Sequence, residues 1–259
     1  MELIDTHCHL TFEQLESSVE AVLQRSIAAG VKSWITVGTD PVENRKVLAL
    51  CEKYVNLYAA LGIHPHEAAK TSNSDIEELK LSAKNPKVVA IGETGLDYHY
   101  DFSPKADQQK LFNSHLQIAS ELNMPVIIHS REAFDDTIKI LNDYRNGLKG
   151  IVFHCFSYSP QQAEKLLDND FFLSFTGVVT FKGARLVRES AKITPLERMM
   201  LETDCPYMTP EPMRKQKVNE PALLVHTAQF LSELKQIPLE QFSQAVTSTS
   251  RSFFDSNIK

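Results

Sequence analysis

The sequence predicts an α/β fold: a single-domain (β/α)8 TIM barrel covering residues 1–259. Three observations carry this. Eight short apolar runs alternate with helix-length stretches, the winding order of a parallel barrel. The imidazoles and carboxylates best suited to a metal stand at the ends of separate runs, and a barrel gathers its chemistry at the C-terminal ends of its strands. A doubly wound open sheet lacks its marks here, since no Gly-x-Gly-x-x-Gly follows an early strand and no phosphate-loop motif occurs.

Taken in order, Leu3 and Ile4 open the first run. Leu15, Val19, Val22, Leu23 and Ile27 then form a helical stripe that stops at Gly30. Residues 31–38 (VKSWITVG) are the second run, and Pro41 starts a helix through Val47, Leu48 and Cys51. Residues 57–63 are the third run, 76–83 a short helix, and 88–91 the fourth run. Residues 104–122 give the clearest amphipathic helix, with Leu111, His115, Ile118 and Leu122 on one face. The fifth to eighth runs are 126–128, 150–153, 171–175 and 199–201, with helices expected over 132–144, 160–167 and part of 181–190. Residues 205–219 are polar and proline-containing, a long loop over the site. Helices near 223–234 and 239–254 are expected to pack outside.

Composition narrows the function. An apolar fraction of 42% and a charged fraction of 23% are ordinary for a globular protein. With 27 basic against 33 acidic residues, the formal charge of -6 gives no overall positive field to capture long nucleic acid. A local patch at a metal site remains compatible with that balance. Cys8, Cys51, Cys155 and Cys205 share no Cys-x-x-Cys spacing and read as unpaired thiols of a reducing compartment. The first residues, MELID, do not run from a basic region into an apolar one, and no apolar run approaches a membrane span, so a cytoplasmic protein is expected.

His7 and His9 follow the first run, and their i,i+2 spacing turns both imidazoles to one side of an extended segment, where both can reach one ion. Asp5 can orient an imidazole or make a structural hydrogen bond near the strand end. Glu93, after the fourth run, must ligate, pair or reach water, and a carboxylate can bridge two ions. Asp97 caps its loop or supports the site. His129 and His154 end the fifth and sixth runs at equivalent places. Arg131 can point the same way as His129 and offer a forked donor to phosphate or carboxylate, or form a surface salt bridge. Asp204, after the last run, can ligate and accept a proton from an attacking water, with Glu202 on the same strand face as a partner or support. His64 and His66 read as substrate or leaving-group contacts, or as structural residues, more than as ligands. His99, His115 and His226 read as ordinary helix or loop positions, while Arg214 and Lys217 meet a phosphate chain or solvent. Phe156, Tyr158 and Tyr207 are the candidates for base stacking.

The expected metal set is therefore His7, His9, Glu93, His129, His154 and Asp204, with Asp204, Arg131 and His66 as catalytic residues and two divalent ions as cofactors. The imidazole and carboxylate donors suit hard to borderline divalent ions: Mg²⁺, Mn²⁺ or Zn²⁺. With these residues in place, the chain resembles the TatD-type family of metal-dependent deoxyribonucleases of the amidohydrolase superfamily. The matching segments are DTHCHL at 5–10, GIHPH at 62–66, GETGLD at 92–97, HSR at 129–131, HCFS at 154–157, LETDCP at 201–206 and NEP at 219–221. The resemblance implies a barrel with a divalent site and 3′-to-5′ exonuclease or DNase activity on DNA or short oligonucleotides, assisted by magnesium. It implies one metal among His7, His9, Glu93 and Asp204, a second among Glu93, His129 and His154, and Arg131 and His66 near the substrate phosphate. The segment RKQKVNEP at 214–221 lacks the family's usual glycine, which bears on how Arg214 and Lys217 meet substrate. A monomer without an obligate protein partner or membrane is expected. The competing readings are a metal-dependent hydrolase of another ester, such as an aminoacyl-tRNA deacylase or a small phosphoester or lactone hydrolase, and a non-catalytic metal-containing binding module.

Overall fold

The computed structural model describes residues 1–144 and 146–254. Eight parallel strands form one sheet in chain order: β1 (Leu3–Cys8), β2 (Val31–Val37), β3 (Leu57–Leu61), β4 (Val88–Asp97), β5 (Val126–Arg131), β6 (Ile151–Phe153), β7 (Phe172–Phe175) and β8 (Met199–Leu201). The helices are α1 (Glu13–Glu16), α2 (Val19–Ala29), α3 (Pro41–Cys51), α4 (Asn73–Ser82), α5 (Lys105–Leu122), α6 (Phe134–Tyr144), α7 (Pro160–Leu167), α8 (Arg185–Ile193), α9 (Leu224–Lys235) and α10 (Leu239–Phe254). β8 returns to β1: the Asp204 N–H donates to the His7 carbonyl at 2.9 Å, and the His9 N–H to the Cys205 carbonyl at 2.8 Å. The Thr6 hydroxyl adds a bond to the Leu201 carbonyl at 3.0 Å. The fold is a (β/α)8 barrel. No described helix is long and apolar enough to cross a membrane.

Local chemistry sets the element ends. Asp40 caps α3 by accepting from the Val42 and Glu43 N–H groups at 2.7 and 3.0 Å, with Pro41 in the first turn. Ser72 and Asp75 form a capping box that starts α4 at Asn73, before the apolar spacing that announces a helix from 76. Ser159 and Gln162 do the same for α7. Gly30 ends α2 in the left-handed conformation, at φ 103°.

The chain divides into two compact units, residues 1–36 with 154–259, and residues 37–153. In the first, α10 packs on β1 and β8, burying Phe242, Val246 and Phe253. The Trp34 indole N–H donates to Ser26 at 2.8 Å and ties β2 to α2. β1 is buried from end to end although it carries Asp5, Thr6 and His7. In the second unit, α5 lays Leu111, Phe112, His115, Leu116 and Ile118 against the interior. β4 is the longest strand, ten residues all buried, and runs through GETGLD to Asp97 rather than ending at Ile91. Glu93 and Asp97 thus lie within a strand. The extension depends on Gly95, at φ 138°, where a Cβ atom would run into the His129 carbonyl oxygen of β5. A Cβ at Gly92 would likewise sit 2.7 Å from the Ile127 Cβ.

Candidate metal centre

Polar side chains buried at strand ends need partners, because an isolated charge in a low-dielectric interior is costly. In the first unit those partners are one another. The His7 and His9 Nε2 atoms approach to 3.2 Å, and Asp204 Oδ1 lies 3.8 Å from the former and 3.5 Å from the latter. Donors bound at 2.0–2.2 Å to a tetrahedral ion lie about 3.3–3.6 Å apart, so this triangle has the dimensions of a metal site. The His154 ring stacks on His7 at 4.1 Å, and its Nδ1 lies 3.5 Å from Glu202 Oε1. That Glu202 oxygen accepts the Cys155 N–H at 2.5 Å, while the other, Oε2, is buried without a hydrogen-bond partner. An orphaned carboxylate oxygen beside two imidazoles fits a cation better than it fits a closed hydrogen-bond network. Ligand atoms of His7, His9 and Asp204, and likewise of His7, His154 and Glu202, lie within 4.8 Å of one another.

Burial disfavours charge on Asp204, but the bond from His9 and the fields of His7 and His154 outweigh it and hold the carboxyl below its ordinary value. Asp204 takes a positive φ of 52°, which an aspartate tolerates better than most residues. Asp5 takes the structural role. Its carboxyl accepts from the Thr203 hydroxyl at 2.6 Å and the Thr203 and His7 N–H groups at 2.9 and 3.4 Å, pinning β1 to the segment that carries Asp204. Burial pushes the Asp5 carboxyl up to about 8 against those bonds.

The second unit holds its own group. Glu93 Oε1 lies 2.7 Å from His129 Nδ1 and 3.6 Å from His64 Nε2. These three residues can also offer ligand atoms to a single ion. Burial drives the His64 imidazole well below its usual value, and its Nδ1 accepts the His66 N–H at 3.2 Å. The far side of His129 meets Asp97, with Nε2 2.9 Å from Oδ2. A metal-binding histidine commonly gives its second nitrogen to a carboxylate in this way. Asp97 also lies 3.1 Å from His66 Nε2, and its Oδ1 accepts the His99 and Tyr100 N–H groups at 3.0 and 3.2 Å. It serves both expected roles, loop cap and site support. Burial opposes its charge, yet the bonds from His129 and His66 hold its carboxyl well below the ordinary range.

A profile of the TatD related DNase family matches residues 4–255. The chain belongs to that family. It is 38% identical over 255 residues to the uncharacterized metal-dependent hydrolase YabD of Bacillus subtilis, covering 98% of this chain and all of that one. It is 34% identical over 228 residues to the 3′-5′ ssDNA/RNA exonuclease TatD of Salmonella typhimurium, covering 86% and 88% of the two chains. Among solved structures, YJJV, a TatD homologue from Escherichia coli K12, superposes with a TM-score of 0.92 at 36% identity over 97% of each chain. Family membership and the donor groups together make this TatD-family protein a metal-dependent hydrolase.

Arg131, at the end of β5, is exposed and lays its guanidinium over the Tyr100 ring at 4.9 Å. Arg214 and Lys217 are exposed on the long loop, Arg214 over Phe181 at 3.7 Å. Asn219 staples that loop, donating to the Thr203 and Tyr207 carbonyls at 3.0 and 2.6 Å, and Glu220 pairs with Arg25. Phe156, expected as a stacking candidate, is 3% exposed and cannot reach a base, whereas Tyr207 is 49% exposed. His64 and Glu202 join the donor groups although neither was expected as a ligand. The signal was present: His64 follows its run as His129 and His154 follow theirs, and Glu202 shares a strand face with Asp204.

Proposed function

We propose that this enzyme hydrolyses phosphodiester bonds of DNA, shortening single strands from the 3′ end, with two divalent ions as cofactors and Mg²⁺ as the ion in use. His7, His9 and Asp204, flanked by His154 and Glu202, hold one ion, and Glu93 and His129, with His64, hold the other. The observation that carries the reading is the triangle of His7, His9 and Asp204 at metal-site spacing, in a chain related along most of its length to a 3′-5′ ssDNA/RNA exonuclease. The acidic overall charge of -6 favours short single-stranded ends over long duplex.

When bound, the ions lower the pKa of water, polarise the scissile phosphate and offset charge on the leaving oxygen. The protein supplies the rest. Asp204, kept ionised by the imidazoles around it, takes the proton of the attacking water on its carboxylate. Arg131 offers its exposed forked donors to phosphate oxygens. His66, steadied by Asp97, binds a second phosphate oxygen. Glu202 holds the Cys155 backbone at the end of β6 and so fixes the direction of His154.

Protein supplemented in turn with Mg²⁺, Mn²⁺ or Zn²⁺ and incubated with 5′-labelled single-stranded DNA tests this. A ladder shortening from the 3′ end, strongest with Mg²⁺, is the expected result. Turnover of carboxylic or aminoacyl esters with the DNA left intact overturns it.

A further inference from the structure

Two large aromatic side chains stand in the open beside the Glu93–His129 group. Tyr100 is 43% exposed and Phe102 is 62% exposed, in the short loop between β4 and α5. Aromatic rings of this size are usually well buried, so two exposed side by side invite a ligand. Their rings lie nearly parallel, 19° apart with centroids at 5.2 Å. His66 meets both rings edge-on, at 4.8 Å from Phe102 and 5.5 Å from Tyr100. Arg131 covers Tyr100, and Lys105 lies 4.0 Å over the neighbouring Tyr98 ring, so cations flank the aromatic strip.

The strip is held rigidly. Asp97 fixes its start through the His99 and Tyr100 N–H groups. At its end, the Ser103 hydroxyl donates to the His66 carbonyl at 2.7 Å and accepts the Ala69 N–H at 3.0 Å. Gln108 of α5 donates to the Asp97 and Ser103 carbonyls, both at 2.9 Å, and so clamps the two ends of the loop. A preorganised surface loses little entropy on meeting a ligand. The same Asp97 that anchors the strip holds His129 and His66, so strip and donor group share one support.

We infer that Tyr100 and Phe102 form a stacking platform for a nucleobase near the 3′ end of the substrate strand, with Arg131 over Tyr100 reaching the adjoining phosphate. The occupant follows from the chemistry. A flat π-surface edged with guanidinium and ammonium groups recognises a base next to its phosphate, and stacking accepts any base because each has a π-face. Phe102, 62% exposed and parallel to Tyr100, leaves ring surface to solvent beside the ring that Arg131 covers. This inference rests on the nuclease reading above and adds where the base goes.

The test compares hydrolysis of an oligothymidylate with that of the same strand carrying abasic residues at its last two 3′ positions. The wild-type enzyme is expected to favour the strand with bases by roughly 5- to 150-fold in kcat/KM, the equivalent of about 1–3 kcal/mol of stacking. Phe102→Ala should lose most of that preference while cleaving the abasic strand as the wild type does its own abasic strand, and Phe102→Trp should keep it. Because Phe102 is exposed, its truncation leaves the interior untouched. A Phe102→Ala/Tyr100→Ala enzyme that retains the full preference overturns the platform, as does a wild-type enzyme that cleaves both strands equally. Those outcomes leave the nuclease reading standing. Failure of the wild type to cleave either strand, with esters turned over instead, removes that reading and this one together.

Discussion

At the scale of single residues, the chemistry turns on how Asp204 stays charged while buried. Its carboxyl faces His7 and His9 at 3.8 and 3.5 Å, and those imidazoles offset the cost of burial. Replacing it with Asn preserves size and removes the proton acceptor. We predict that Asp204→Asn lowers kcat by about 10²–10⁴-fold, the scale of general-base catalysis, with little change in the urea midpoint. Near-normal turnover in a metal-loaded variant contradicts the assigned role. His7, His9, Glu93, His129, His154 and Asp204 stand out in the sequence because each follows an apolar run, and each lies in a group of potential metal donors. The sequence argues against His64 as a ligand because six donors already satisfy two ions, and it leaves Glu202 as a partner for a basic group or a support for the site. Only the close approach of Glu93 to His64, and of Glu202 to His154, brings them in. Tyr100 and Phe102 stand in the loop between β4 and α5, outside any apolar periodicity, so the sequence carries no burial signal for them.

Among the elements, β4 and α5 do most to place the second donor group. β4 lies close against β5 because Gly95 has no side chain, and the glycine also adopts a φ of 138°. Gly95→Ala is predicted to destabilise the fold by at least about 1–3 kcal/mol through backbone strain alone, read as a lower urea midpoint. A midpoint equal to wild type contradicts the packing described. On α5, His115 looked like an ordinary member of an apolar stripe, yet its Nε2 accepts the Ile63 N–H at 2.9 Å and its Nδ1 bonds the Leu111 carbonyl at 2.8 Å. It thereby anchors the backbone next to His64. Complete burial lowers its pKa from 6.5 to about 4. The unfolded chain therefore binds a proton between those values that the folded chain refuses, and stability falls as pH drops from 6.5 towards 4. Linkage puts this loss at about 3 kcal/mol. Urea titrations at pH 7 and pH 4.5 should show a smaller acid loss in His115→Gln than in wild type; equal losses in both contradict it.

For the molecule as a whole, the fold class was legible because a parallel barrel repeats one simple pattern, an apolar run followed by a helical stripe, and all eight runs overlap a strand. Strand lengths were not, because GETGLD and HSR continue β4 and β5 with polar residues that a hydrophobic pattern does not count. The helix start at Asn73 depends on a capping side chain rather than on apolar spacing, whereas α7 begins at Pro160 as expected. The central claim is that these strand-end donors hold divalent ions. A crystal structure of the Mn²⁺-soaked enzyme, with the ions located by their anomalous scattering, tests it most directly. We predict one ion about 2.0–2.3 Å from donor atoms of His7, His9 and Asp204 and another at such distances from Glu93 and His129. Crystals grown in millimolar Mn²⁺ that show no ion on either group contradict the account.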